Sequence, residues 1–435
     1  MRYRLITIAV LAAFLFAAPA SFAQQEQPEG QKLSLSLVQA QDFASLHNAT
    51  LQNASLDIRR AEAAKWKSIA SMLPQISAGV DYSNYFGYKM NIGAMQIAMP
   101  PYASLGVTTA VGLSGASFIS VGIAEISKRM ADLTRENTEQ QVRDQVKVLY
   151  YSALVTEETI RVLEENLASL RKLHEMSQRS VEIGVAEQTS ADQLKVQVGM
   201  MENSISATRR SLEMIYNTLR LQLNVGTDTA VQLTQSLDEL VNLATAEALL
   251  SEEFDIEDNR DFRLLKESTE LARRQIALTG WSNGPTISVF HQYNTRKYFS
   301  DEATMNMTPP NMLGVSLKVP LFTSGMNSMS IRDARLSYQK QLNTLESTAL
   351  SMQVQYHQLV WNLRSALESY YTQKENVEVA QRIFDNIAGK YEYGVASSLE
   401  LTNAGTTLLS ARSSYVQALM DIVNAQISLE QLLNK

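Results

Sequence analysis

The side chains that most often carry chemistry are thinly spread along this chain. Four histidines, His47, His174, His291 and His357, stand far apart. None has a second histidine three or four residues on, the spacing that sets two imidazoles on one helix face for a metal. Cysteine is absent, so no thiolate nucleophile, disulfide or lipidated N-terminal cysteine can be built. No G-x-S-x-G elbow, phosphate loop or dinucleotide fingerprint occurs. The carboxylate pairs Glu164-Glu165 and Glu252-Glu253 lie in helical or acidic surroundings where solvation accounts for them. With no catalytic constellation, metal centre or cofactor site to assemble, the residues point away from an enzyme. Two short stretches remain conspicuous instead. "SVEIGVAEQTSA", from Ser180 to Ala191, and "KYEYGVASSLEL", from Lys390 to Leu401, each break a long helical pattern with Gly-Val-Ala, 210 residues apart.

The elements around these breaks follow from where proline and glycine are missing. All nine prolines fall at positions 19, 28, 74, 100, 101, 285, 309, 310 and 320. No glycine lies between Gly122 and Gly184 or between Gly325 and Gly389, so each tract runs more than 60 residues without either helix breaker. At about 1.5 Å per residue, each predicts a helix on the order of 90 Å long.

Beyond each break the apolar seam alternates spacings of three and four, the periodicity of a coiled coil. In the second copy it runs Leu408, Ala411, Tyr415, Ala418, Ile422, Ala425, Leu429 and Leu432; in the first, Val198, Met201, Ile205, Thr208, Leu212, Ile215 and Leu219. The first seven residues of the later seam sit 210 residues after their counterparts, the offset that also separates Gly184 from Gly394. A shared register of this length indicates an internal duplication.

The prolines mark the other half of each repeat. After Pro74, Ile76, Ala78, Val80, Tyr82 and Phe86 are read as one face, against Gln75, Ser77, Gly79, Asp81 and Ser83. After Pro100-Pro101, Leu105, Val107, Thr109, Val111 and Leu113 alternate with small or polar residues, and after Pro309-Pro310 so do Leu313, Val315, Leu317, Val319 and Leu321. These are strands with one apolar and one polar face. The strand after Pro285 is less regular, because His291 shares the face of Ile287, Val289 and Tyr293. Alternation of this kind fits a soluble two-layer sheet or a lipid-facing barrel, and on its own favours the former. Four strands cannot close an open transmembrane barrel, since about eight already fill their own interior. If these strands span a membrane, several chains must pool them. The methionine-bearing loops "GYKMNIGAMQIAMPP" and "KYFSDEATMNMTPP" are expected to be exposed loop tips.

The chain opens MRYRLITIAVLAAFLFAAPASFAQQ, where Arg2 and Arg4 precede an apolar run from Leu5 to Ala18 and the small residues Ser21 and Ala23. This is the pattern of a secretory signal cleaved after Ala23. No later stretch approaches the roughly 18 consecutive apolar residues of a membrane-spanning helix. Loss of the two arginines takes the formal charge from −7 to −9, which argues against nucleic acid or anionic lipid as a partner. The expected layout is a signal at 1–23 and a first repeat at 24–225, with a strand pair near 75–114 and a hairpin tip near 184. An acidic, partly helical connection follows at 226–256, its charges a solvated face. The second repeat, 257–435, has its strand pair near 286–321 and its tip near 394.

A strand pair set into a long helical hairpin, duplicated in tandem, resembles the TolC-like outer membrane factors (outer membrane efflux proteins) of efflux pumps and type I secretion systems. The likeness runs from about Leu33 to Leu433. "LSLSLVQAQDFASLHNATL" resembles the family's opening helix, and "SIASMLPQIS" the approach to its first strand. "NRDFRLL" resembles the matching helix of the second repeat, "VPLFTSGM" the exit from the fourth strand, and "YEYGVASSLELTNAGTTLLSAR" the second hairpin tip. The resemblance implies a mostly α chain with four β-strands, assembled as a homotrimer into a 12-stranded outer membrane β-barrel continued by a periplasmic α-helical barrel. That resolves the shortage of strands and reverses the preference for a soluble sheet. It also implies a passive conduit in outer membrane lipid, opened by a periplasmic adaptor (membrane fusion) protein and energised by an inner membrane transporter of RND, ABC or MFS type.

The resemblance gives the two breaks a place at the periplasmic tip. Gly184, Val185 and Ala186, with Gly394, Val395 and Ala396, become turns against which the adaptor docks. Family acidic positions that ring the closed entrance fall on Glu400 and Asn403, one retained and one neutral. Three copies of Glu400 about an axis would repel one another and raise their pKa. Tyr391 matches a latching tyrosine. Its acidic partner falls on Ser190, with Asp192 two residues on, and the latching base falls on Ala396, so closure is expected to rest on packing and neutral hydrogen bonds. The alternative is a soluble periplasmic coiled-coil adaptor, which also has long hairpins; against it stand the two strand pairs. A single-chain porin would need many more strands.

Overall fold

In a computed structural model, residues 32–93, 95–184, 187–240, 243–299 and 309–434 are described. The expected signal peptide, Val185, Ala186 and most of the loop before Pro309 lie outside them. The first half runs β1 (Lys32–Leu35), α1 (Leu37–His47), α2 (Ala49–Ala70), β2 (Gln75–Ser83), β3 (Lys89–Ile92), β4 (Met95–Ala98), β5 (Tyr102–Ser114), α3 (Gly115–Glu182) and α4 (Gln188–Leu223). A connection holds β6 (Ala230–Leu233), α5 (Leu237–Leu240), α6 (Leu243–Leu249) and a single 3-10 turn. The second half runs α7 (Arg260–Ser282), β7 (Thr286–Tyr298), β8 (Asn311–Lys318), α8 (Met326–Glu392) and α9 (Ser398–Leu433).

The stretches without breakers are single helices. α3 has 68 residues and α8 has 67, each about 100 Å at 1.5 Å per residue. α4 and α9 return beside them with 36 residues apiece, and every residue of both predicted seams is buried or half-buried. The duplication reaches into hydrogen bonding. Asn48 and Asn259, 5 % and 4 % exposed, each cap the helix that follows and donate Nδ2 to the end of a returning helix. Asn48 bonds the Gln222 carbonyl at 2.9 Å and Asn259 the Leu432 carbonyl at 3.0 Å. A buried asparagine needs both ends of its amide satisfied, and one residue here ties two helix termini together.

The main sheet is antiparallel in the order β2-β5-β7-β8, with β5 and β7 from different repeats pairing at its centre. Register extends the period-two pattern across all four strands. Ile76 faces Thr109, which faces His291, which faces Leu313, while Ser77, Thr108, Gln292 and Met312 lie in the next row. The apolar face is bare in the single chain, Ile76, Val80, Leu313 and Val315 each being more than 70 % exposed. His291 points outward with that face, as its place in the alternation requires.

Two ribbons go beyond the sequence expectation. β3 and β4 make an antiparallel hairpin out of the loop after Gly87, and most of its described residues are exposed. β1 and β6 pair in parallel across the repeat boundary. This pairing, with α5 and α6, draws the connection into the core. Val231, Leu237, Ala246 and Leu249 are buried against Tyr150, Leu219, Leu363 and Ile422, midway along the long helices. The acidic residues of the connection flank this apolar patch, which a charge-based reading of the segment does not register.

Candidate functional site

Both hairpins reverse direction at a glycine with positive φ, the left-handed conformation that a residue with a Cβ enters only at a cost. At the second tip, α8 ends on Glu392 with Tyr393 as C-cap and Gly394 at φ +73°. Gly394 N–H donates to the Tyr391 carbonyl at 3.0 Å and Val395 N–H to the Lys390 carbonyl at 2.8 Å, the paired bonds of a Schellman motif. Ser397 then starts α9 with a capping box: its hydroxyl accepts from Glu400 N–H at 3.2 Å, and the Glu400 carboxylate accepts from Ser397 N–H at 2.7 Å. Two backbone donors that the helix leaves open are satisfied reciprocally.

The first tip repeats the turn but not the cap. Gly184 sits at φ +79° and donates to the Val181 carbonyl at 2.9 Å. Glu187 occupies the N-cap of α4 without a side-chain bond to its backbone, meeting the Thr189 hydroxyl at 3.1 Å instead. Asp192 is exposed and accepts from Gln188 one turn earlier at 3.0 Å, and Ser190 is half-buried.

Glu400 is exposed and its carboxylate is already engaged. The backbone N–H and hydroxyl of Ser397 hold it below the usual carboxylate range. Within one chain, therefore, the shift runs opposite to the rise expected from three clustered copies. Asn403 is exposed one turn further along α9, and Tyr391 is half-buried. Among the described residues no hydrogen bond joins Tyr391 to Ser190 or Asp192, so the single chain does not assemble the latch by side-chain bonding.

Residues that sequence reasoning passed over add to the tips. Ile183 and Tyr393, again 210 residues apart, are the two C-caps, and they are 75 % and 86 % exposed. With Val395 at 75 %, they place large apolar groups in solvent at the end of the molecule. Their equal offset was the available signal.

Above the tips the two hairpins are joined by charge. Lys147 on α3 meets Glu430 on α9 at 2.5 Å, and nearer the tips Arg412 on α9 meets Glu165 on α3 at 3.3 Å and the Gln381 amide oxygen on α8 at 2.7 Å. The partners of Arg412 lie 247 and 31 residues away, a juxtaposition that no local pattern reveals.

A chain with this duplicated, sheet-bearing hairpin architecture matches the model of the outer membrane efflux proteins over residues 42–225 and 256–435. The chain belongs to the outer membrane efflux protein family. It is 21% identical to outer membrane protein TolC of Vibrio cholerae over 417 residues, covering 91% of each chain. It is also 21% identical to TolC of Escherichia coli over 411 residues, covering 91% of this chain and 82% of that one. In three dimensions it superposes on the outer membrane protein VceC of Vibrio cholerae with a TM-score of 0.76 at 14% identity, covering 91% and 95% of the two chains. Family membership makes it an outer membrane efflux channel, an exit duct, in preference to a soluble adaptor.

Proposed function

We propose that three copies of this chain assemble the duct, each contributing its four-stranded sheet to one 12-stranded barrel and its hairpins to a periplasmic tunnel. The observation that carries the reading is the open sheet. β2 and β8 have no partner on their outer edges among the described residues, and one face is apolar and bare. In a bilayer, unpaired backbone groups are too costly to leave, so the edges must be closed by other copies. The duct is a passive conduit. Its entrance is the ring of hairpin tips, and a periplasmic adaptor docks on the exposed Ile183, Tyr393 and Val395 with Gly184 and Gly394 shaping the turns. An inner membrane transporter supplies the energy.

The absence of cysteine makes a clean test. Cysteine pairs scanned with one member in β2 and one in β8 should crosslink between copies and give a ladder ending at three chains on a denaturing gel, from membranes that release the protein only into detergent. Release by salt alone, or a ladder that stops at two, would overturn the assembly.

A further inference from the structure

We propose that the cleft between the two hairpins, on the tip side of the Arg412–Glu165 pair, is a binding site for a neutral lipophilic molecule carrying one carbonyl-type hydrogen-bond acceptor. A cavity of about 400 Å³ opens there between α3, α4, α8 and α9, within the roughly 300–1,000 Å³ of small-molecule sites. Leu173, Leu194, Met201, Phe384 and Leu409 form its apolar wall, and Ser169, Gln197 and Thr402 its neutral polar rim. No charged side chain lines it, so an ion would be desolvated without compensation. One lining residue carries an unsatisfied group. Asn166 is 8 % exposed, belongs to the lining, and its Nδ2 has no hydrogen-bond partner. A buried amide donor left unpaired is costly, and a half-turn of the amide about its last torsion presents either end to the space. With the amide turned so that Nδ2 meets the space, an acceptor delivered by a ligand gives that donor a partner.

The walls come from both repeats, α3 and α4 on one side and α8 and α9 on the other. A ligand touching all four helices binds best while the hairpins are packed, and so holds them packed by its difference in affinity between the two arrangements. The consequence for the entrance rests on the channel reading; the binding itself does not.

Benzophenone is a suitable probe, being neutral, with two aromatic rings and one carbonyl, and inserting under near-ultraviolet light into neighbouring C–H bonds. On the purified full chain in detergent, labelling at Met201 should saturate with probe concentration and exceed that at Met214 at least tenfold. Met214 is the informative reference because it lies on the same helix and is 69 % exposed. Gly405→Leu should fill the space and reduce Met201 labelling at least tenfold. A Cβ at Gly405 meets only the Phe384 ring at 3.5 Å, an ordinary contact, so the substitution is compatible with the helix. Asn166→Leu should weaken labelling about fivefold while leaving the cavity. Occupancy should slow amide exchange in the last turns of α3 and the first of α9. Labelling at Met201 that tracks Met214, fails to saturate or ignores both variants overturns the site. None of these readings depends on transport, so they fail separately from the assembly test.

Discussion

At the second tip, Ser397 and Glu400 close a capping box and Val395 completes the turn onto Lys390. At the first, Glu187 stands in the cap position and bonds only a neighbouring hydroxyl. Two copies that share Gly-Val-Ala and a helix length of 36 residues thus differ in how firmly their return helices begin. The cap difference corresponds to about 1 kcal/mol. A duplicated pair of hairpins with unequal ends gives the molecule one tip that holds its shape alone and one that depends more on what packs against it.

The largest effect should come from removing what the tips have in common. Gly394→Val or Gly184→Val puts a β-branched side chain at φ +73° or +79°, a conformation costing an ordinary L residue about 1–2 kcal/mol and a β-branched one more. Nothing lies within 4 Å of either added Cβ, so the damage is to backbone geometry. Efflux of a lipophilic dye from cells should fall at least tenfold for either variant with membrane levels unchanged. Normal efflux from both would remove the tips from the mechanism.

Ser397→Ala attacks what the tips do not share. Loss of the cap should speed amide exchange in the first turn of α9 about fivefold, matching about 1 kcal/mol, with no change at α4. The reciprocal Glu187→Ser supplies the side-chain cap that α4 lacks and should slow exchange there by a similar factor. If the two substitutions act alike at both tips, the asymmetry has no energetic content.

The regular parts of this fold were legible because they rest on local rules. Missing proline and glycine predict α3 and α8; spacing of apolar residues predicts the seams; alternation predicts β2, β5 and β8. The β1–β6 pair was not legible, since Leu33 and Val231 pair across nearly 200 residues in strands too short for a pattern. The capping box at Ser397 was within reach, because Ser-x-x-Glu is a sequence signature. The clasp and cavity between hairpins combine side chains from four helices, and only three-dimensional packing brings them together.

Arg412→Ala asks whether the hairpins behave independently. Arg412 is 25 % and Glu165 49 % exposed, so screening limits the pair to a fraction of about 1 kcal/mol. Exchange should quicken no more than about threefold, on α3 and α9 together near positions 165 and 412. Acceleration confined to α9 would mean that the pair decorates the surface without coupling the repeats.

The smallest effect is one of acidity. Donation from Ser397 holds the Glu400 carboxyl below its ordinary value of 4.5. A group depressed in the folded state stabilises it fully above the unfolded value, and that contribution fades as pH falls through the depressed one. Exchange at the start of α9, corrected for its intrinsic pH dependence, should therefore rise below about pH 4.5 while α4 is unaffected. Glu400→Gln keeps an N3 side chain able to close the box but cannot ionise, so it should abolish this pH dependence with the cap intact. The same variant separates two roles for one residue. In planar bilayers, a carboxylate ring predicts that Glu400→Gln lowers block by divalent cations as much as Glu400→Ala does. A purely capping role predicts that only the alanine variant changes the currents, through a loosened tip.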